Sequence, residues 1–290
     1  MSFDTIVKKA NGDTEVFNPA KLKNSLDLAG ASGEESEIVL EKIREILYKG
    51  ITTRKIYRKA FSELKKIKKE AALSYSLNEA VMGLGPTGFP FEKFVARVFS
   101  RLGYETEVGL MMKGMCIEHE IDFLARHDSH IFVAETKFHN EHGIKSNLQT
   151  ALFVKARFDD LWESPHLSAK TKPHAVWLIT NTKFTKSALT YGECAGINMI
   201  SWNHPKEGNL QDLIEKSKLH PVTAITSLSK KEKKRLMENN VVLCRDIVEH
   251  SEKLELYGVN PKKHKTVLSE AESIIDLNNN REHKDRRPHE

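Results

Sequence analysis

Cysteine is scarce in this sequence. Its three residues, Cys116, Cys194 and Cys244, are scattered and odd in number. They offer no disulfide framework and none of the paired spacings that hold zinc. The compartment expected from that usage is a reducing cytoplasm. Long apolar runs are missing as well. No stretch approaches the roughly 20 apolar residues of a membrane-spanning helix. The first residues lack the basic-then-apolar pattern of a secretory signal. The expectation is a cytoplasmic protein with no membrane partner. No Gly-x-x-x-x-Gly-Lys-Ser/Thr phosphate loop occurs, so a motor driven by nucleotide hydrolysis is excluded. There is no internal repeat.

What the chain does contain is charge. Charged residues make up 29% of its 290 positions and leave a net charge of +5, a balance that suits a nucleic-acid partner. Hydrophobic residues reach 39%, enough for real cores but low for one large globule. Two or three domains are expected at this length.

The most informative block lies in the middle. Ile121-Asp122-Phe123-Leu124-Ala125 and Ile131-Phe132-Val133-Ala134-Glu135-Thr136-Lys137 flank a polar turn, so the block reads as a β-hairpin. Side chains two apart on a strand share a face. Glu135 and Lys137 therefore point the same way, and Asp122 on the partner strand reaches the same spot. Two carboxylates suffice for Mg²⁺, which keeps several waters. A bound cation lowers the pKa of water and steadies charge on a phosphate, and a lysine adds to that stabilisation. An ordinary salt-bridged strand end is the bland alternative for Glu135-Thr136-Lys137.

Asp122 followed by Glu135-Thr136-Lys137 resembles the catalytic signature of the PD-(D/E)XK nuclease superfamily. Gly88-Phe89-Pro90-Phe91-Glu92-Lys93-Phe94, Arg101-Leu102-Gly103-Tyr104 and Ile179-Thr180-Asn181-Thr182-Lys183-Phe184-Thr185 resemble its Mrr-type restriction endonuclease branch over roughly residues 85 to 205. The resemblance implies cleavage of double-stranded DNA with Mg²⁺, or Mn²⁺ as a substitute. Asp122 and Glu135 would bind the metal, Lys137 would assist the attacking water, and Glu92 would support the metal shell. Gln149 matches a glutamine of that branch, although Phe153 stands where the branch carries tyrosine. Gln149 either contacts the scissile phosphate or the metal water, or simply faces solvent. Glu92 likewise has the alternative of an exposed helix residue. His119 has structural and ligand readings. His139 and His142 could line the cleft.

Residues 1–84 read as a separate unit: a short hairpin through Asn11-Gly12, then helices with apolar faces. Asn18-Pro19 starts the first of them. Val7-Lys8-Lys9, Asn11-Gly12, Glu15 and Phe17, then Lys21-Leu22 and Ser25, with Ile51-Thr52-Thr53 later, resemble the ATP-cone regulatory domain. That resemblance implies ATP or dATP as an effector. Lys8, Lys9 and Lys21 would face phosphates, Glu15 or Asn24 would meet ribose or base, and Val7 and Ser25 would complete the site. A small basic interaction module without nucleotide is the alternative.

The expected fold is α/β. It has a hairpin plus helical bundle over 1–84, a restriction-endonuclease-like mixed sheet with flanking helices over 85–206, and a helical region over 207–277. Gly109 to Cys116 reads as a loop, and the tail over 278–290 as disordered. Lys230, Lys231, Lys233, Lys234 and Arg235 form either a solvated helix face or a DNA contact. The helical region weakly resembles helix-hairpin-helix DNA-binding modules. The function expected is a Mg²⁺-dependent DNA endonuclease, regulated by ATP or dATP and acting as a homo-oligomer, because cutting both strands needs two sites. The alternative is a nucleotide-sensing DNA-binding regulator whose nuclease fold is silent.

Overall fold

The computed structural model describes residues 5–8, 14–29, 31–140, 144–168 and 171–285. The chain divides into two compact units, Met1–Glu79 and Ala80–Glu290.

The first unit opens with β1 (Ile6–Lys8) and β2 (Thr14–Val16), paired antiparallel with Val7 opposite Glu15. The Asn11-Gly12 turn expected between them lies outside the described residues. Helix α1 (Pro19–Leu28) begins as the sequence predicts. Asn18 Oδ1 accepts the backbone N–H groups of Ala20 and Lys21 at 2.9 and 3.2 Å, which would otherwise be orphaned at a helix start. Helix α2 (Gly33–Arg44) carries a reciprocal capping box between Ser32 and Glu35. It begins earlier than its apolar periodicity suggests, because the box recruits polar residues ahead of the hydrophobic stripe. Strand β3 (Ile51–Thr52) pairs parallel with β1. Thr52 then caps α3 (Thr53–Ile67), which α4 (Lys69–Met82) follows. Val7, Leu26, Val39, Ile43, Ile51, Ala60 and Leu64 form the core of this unit.

The second unit begins with α5 (Phe89–Arg101), with Pro90 in its first turn, where a missing N–H is tolerated. Gly103 adopts φ +102°, the left-handed conformation that ends a helix without a Cβ clash. Strands β4 (Glu105–Lys113), β5 (Glu118–His127) and β6 (His130–Lys137) follow as an antiparallel meander. Then come β7 (Lys145–Ser146), α6 (Leu148–Trp162), β8 (Ala175–Thr180), β9 (Lys183–Phe184), α7 (Lys186–Cys194) and β10 (Ile197–Ile200). The chain closes with α8 (Leu210–Ser217), α9 (Lys230–Glu238), α10 (Cys244–Glu249) and α11 (His264–Asp285).

The main sheet has the order β10-β8-β6-β5-β4. Strands β6, β8 and β10 run parallel, as the strand-helix-strand order around α7 requires. The protein is thus mixed α/β with a helical C-terminal region. One sheet face meets an aromatic cluster: Phe99 of α5 stands 5.5 to 5.7 Å from the rings of Phe132, Phe123 and Trp177. The other face packs Leu124, Val133, Val176 and Leu178 against Ala151, Val154 and Leu161 of α6 and Ala188 of α7.

Two elements run past their expected ends. Strand β4 continues through the segment that reads as a loop, because Leu110 and Met112 pair with Ile121 and His119 of the long β5 arm. Ladder pairing outweighs the weak strand propensity of Gly109. Helix α11 extends to Asp285, beyond residue 278, where the polar composition suggests a tail. No helix among the described residues is long and apolar enough to cross a membrane.

The C-terminal helices are tied to α5. Asp246 is buried, and its carboxylate accepts N–H groups of Val242 and Leu243, both at 3.0 Å, and Arg97 Nη2 at 2.9 Å. Replacing Asp246 by Ala removes a helix cap and a charged acceptor together. We expect a loss of about 2 kcal/mol in a denaturant melt. An unchanged midpoint would show that this anchor contributes nothing.

Candidate active site

The geometry starts from strand register. Phe123 lies opposite Ala134, so one step further Asp122 faces Glu135, and directly opposed residues share a face. Thr136 fixes the Asp122 carboxylate: its backbone N–H donates to Oδ2 at 2.6 Å and its hydroxyl to the same oxygen at 2.9 Å. The other oxygen, Oδ1, makes no hydrogen bond among the described residues. On the other side of β5, Gly109 stands between the paired positions Val108–Phe123 and Leu110–Ile121 with φ +68°. No atom lies near the position of its missing Cβ, so the strand is open beside Asp122.

Glu135 and Asp122 are only partly exposed. Lys137, two residues on, is exposed. Glu92, in the first turn of α5, joins the group electrostatically. Burial pushes its carboxyl up to about 7, and the charges of Asp122, Glu135 and Glu120 add to the rise. Burial and the neighbouring Asp122 likewise lift Glu135 to about 7, against the pull of Arg157 and Lys137. Asp122 is raised by burial too, and the Thr136 hydrogen bonds oppose that rise. Carboxyls pressed together out of water resist ionising together.

Two participants escape the motif reading. Glu120 is an exposed acid one alternation before Asp122. Arg157 reaches down from α6, and its Nη1 donates to Glu135 Oε2. Its guanidinium carbon lies 4.6 Å from the centroid of the Phe153 ring. The only sequence signal for Arg157 is its place on α6, four residues beyond Phe153 and eight beyond Gln149, which puts all three along adjoining turns. Gln149 itself is exposed and makes no hydrogen bond to the carboxylates among the described residues.

The histidines divide. His119 Nε2 stands 2.7 Å from Asp160 Oδ2. Asp160 also accepts the Cys116 N–H at 2.8 Å, so this pair clamps the β4–β5 turn to α6. His139 belongs to the segment after β6. Its N–H donates to Asn181 Oδ1 at 2.8 Å, Asn181 Nδ2 donates back to its carbonyl at 2.8 Å, and its Nε2 is 3.0 Å from Ser146 Oγ. Thr180 Oγ1 donates to the Lys137 carbonyl at 2.7 Å. These bonds fix the backbone that carries Lys137. Gly85 packs against the same segment, and a Cβ there would lie 2.1 Å from Asn140 Oδ1. His142 lies outside the described residues.

Of the positions singled out in the first unit, Val7 is buried in the core. Lys8 is exposed. Lys21 Nζ is 3.2 Å from Glu15 Oε2, so those two already satisfy one another. Lys9 and the side chains of Asn24 and Ser25 lie outside the described residues.

Among the described residues, no group of three or more His, Cys, Asp or Glu side chains forms a ready-made metal cage. A hard cation that keeps several waters does not need one. Asp122 and Glu135 supply oxygen donors from adjacent strands, Asp122 has an uncommitted Oδ1, and positive charge would relieve the crowding of the carboxyls. The donor set fits Mg²⁺ or Mn²⁺ held by two carboxylates, water and a substrate phosphate.

An uncharacterized protein from Archaeoglobus fulgidus is 34% identical over 182 residues, which are 62% of this chain and 99% of that relative. The chain belongs to the AF1548-like family. The crystal structure of a protein of unknown function, AF1548, matches at 32% identity with a TM-score of 0.55, covering 66% of this chain and 99% of that one. A family model described as AF1548-like, C-terminal, matches residues 220–275, which include α9 and α10. AF1548-like membership corrects both motif-based assignments. The ATP-cone over residues 1–84 and the Mrr-type PD-(D/E)XK nuclease over 85–205 are not the families this chain matches. The physical reason lies in the patterns. Asp122, Glu135 and Lys137 on a hairpin, or a basic strand followed by Asn11-Gly12, fix only a few positions. Charged strand ends and tight turns reproduce them in unrelated chains.

Proposed function

We propose that this AF1548-like protein hydrolyses phosphodiester bonds of double-stranded DNA with a divalent cation at Asp122 and Glu135. The observation that carries the reading is the meeting of those two carboxylates across neighbouring strands, with Lys137 beside them. In this reading the sheet is a restriction-endonuclease-like core, with the acids at the end of its β5–β6 pair and helices on both faces.

In the reaction a water oxygen bonds to phosphorus as the bond from phosphorus to the leaving ribose oxygen breaks. When bound, Mg²⁺ or Mn²⁺ supplies a more acidic water and stabilises phosphate charge. Asp122, held by Thr136, and Glu135 orient the oxygens around the reacting phosphorus. Lys137 donates hydrogen bonds to the phosphate oxygens as their charge grows. Glu92, whose carboxyl feels the charges of Asp122 and Glu135 from the first turn of α5, would accept the proton lost by the water. The leaving oxygen takes its proton from solvent. Cutting both strands calls for two such sites, and therefore for a second copy of the chain.

The C-terminal helices support contact with the DNA backbone. Lys230, Lys231, Lys234 and Arg235 are exposed on α9. Lys231, Arg235 and Lys263 line an open cleft of about 490 Å³ together with Glu232 and Glu255, and Lys263 pairs with Glu232 there. Such cations bind phosphates without reading sequence.

The engagement of Glu135 by Arg157 favours a second reading, a DNA-binding regulator that does not cut. Purified protein incubated with plasmid and Mg²⁺ or Mn²⁺ separates the two. Cation-dependent nicking that Asp122→Asn abolishes supports the hydrolase. Salt-sensitive DNA binding without cleavage under either cation would replace it with the regulator. ATP or dATP as an effector at residues 1–84 is the remaining part of the proposal. It predicts a higher melting temperature with either nucleotide, and an unchanged melt removes the effector.

A further inference from the structure

Arg157 is unusual among the charged groups of this unit because its surroundings satisfy it only in part. Nη1 donates to Glu135. Nε is buried and has no hydrogen-bond acceptor among the described residues. One face of the guanidinium lies against Phe153, an attractive contact for a planar cation. An arginine buried for stability alone would fill its rigid fork, because each buried donor left empty is costly. This side chain is instead steadied by a ring, aimed at one carboxylate, and left with spare donors.

The carboxylate it holds is Glu135, one of the two proposed cation ligands. The guanidinium therefore delivers positive charge to the place where a divalent cation would sit. The guanidinium and a divalent cation thus compete for the charge of one carboxylate.

We infer that Arg157 is a built-in counter-ion, which holds Glu135 in the cation-free protein and yields it when a divalent cation binds. The released fork then presents paired donors to the phosphodiester, for which its planar geometry is suited. Resting on the hydrolytic reading, this adds a control: the charge of Glu135 is offset in part from within, and the cation must compete with Arg157 for it. The device explains how Asp122 and Glu135 stay close together in the folded chain without an ion. It also places the group that meets the substrate on α6, the helix facing the strands of the site.

Binding of Mn²⁺ alone is the deciding measurement, by loss of the free-ion paramagnetic resonance signal in the full chain at pH 8, without DNA. We expect Arg157→Gln to bind Mn²⁺ about tenfold more tightly than the parent, equivalent to ~1.4 kcal/mol. Arg157→Lys keeps a cation for Glu135 and stays close to the parent. Cleavage by Arg157→Gln falls although its cation binds better, a split that a purely structural role would not produce. Should Arg157→Gln fail to fold, Phe153→Leu removes the ring and raises Mn²⁺ affinity in the same direction.

Asp122→Asn separates this inference from the reading beneath it. Loss of Mn²⁺ binding in Asp122→Asn, with Arg157→Gln equal to or weaker than the parent, overturns the counter-ion and leaves the cation site standing. Equal binding by Asp122→Asn and the parent, or none by any protein, overturns both.

Discussion

Asp122→Asn, Glu135→Gln and Lys137→Ala are each expected to slow DNA cleavage by about 10³-fold, the usual cost of removing one preorganised charge or proton-transfer group from a site. The three losses have different origins. Asn at 122 keeps the shape and can still accept from Thr136, but presents a weak neutral donor to a cation. Gln at 135 removes the charge that a cation and Arg157 both use. Ala at 137 leaves the carboxylates intact and removes only the amine, so cation binding survives while the rate falls. The double variant Asp122→Asn/Glu135→Gln is expected to be little slower than either single one, because residues acting as a unit are not additive. Far-UV circular dichroism of all three single variants should match the parent, because none of the side chains fills the apolar cores of the sheet. A single variant that cuts within about threefold of the parent rate would remove that side chain from the mechanism.

Much of this arrangement is legible in the sequence because it rests on local chemistry. The hairpin bearing Asp122 and Glu135 is announced by two apolar runs around a polar turn. Its tight corner at Asp128 adopts φ +51°, a conformation Asp tolerates better than most residues. The nearly continuous apolar run Ala175–Thr180 appears as an inner strand flanked by β6 and β10. The helix starts at Asn18, Thr52 and Ser229 follow from capping side chains that can be named in advance. What the sequence hides is long-range. Strand β4 is stabilised by a partner that begins only at Glu118, so its Gly109 misleads any local reading. Arg157 meets Glu135 across 22 positions, and no short motif encodes that distance. Family membership was hidden for the opposite reason. Motifs of three or four residues carry too little information, whereas likeness along 182 residues carries much more.

The stability of the protein should fall between about pH 4.5 and 7 in the absence of divalent cation, through Glu135 and Glu92. Each carboxyl is raised from the ordinary 4.5 to about 7. Below 4.5 both the folded and unfolded chains hold these protons, and the groups are neutral towards stability. Between 4.5 and 7 the unfolded chain ionises while the folded chain does not, so unfolding gains with each step in pH. Above 7 the loss is complete. Glu63 acts in a separate window. Its hydrogen bonds with Lys59 and Lys66 hold it down to about 2, so its contribution disappears only as pH falls from 4.5 towards 2. A cation at Asp122 and Glu135 would restore what ionisation costs. Mn²⁺ should therefore raise the melting temperature by several degrees at pH 8 and by much less at pH 5, where a proton already neutralises Glu135. Glu135→Gln should shrink the neutral-pH decline to the part carried by Glu92, whose carboxyl also stands near 7, and abolish the Mn²⁺ effect. A Mn²⁺ shift of equal size at both pH values, or one that survives in Glu135→Gln, would place the cation somewhere other than this pair of strands.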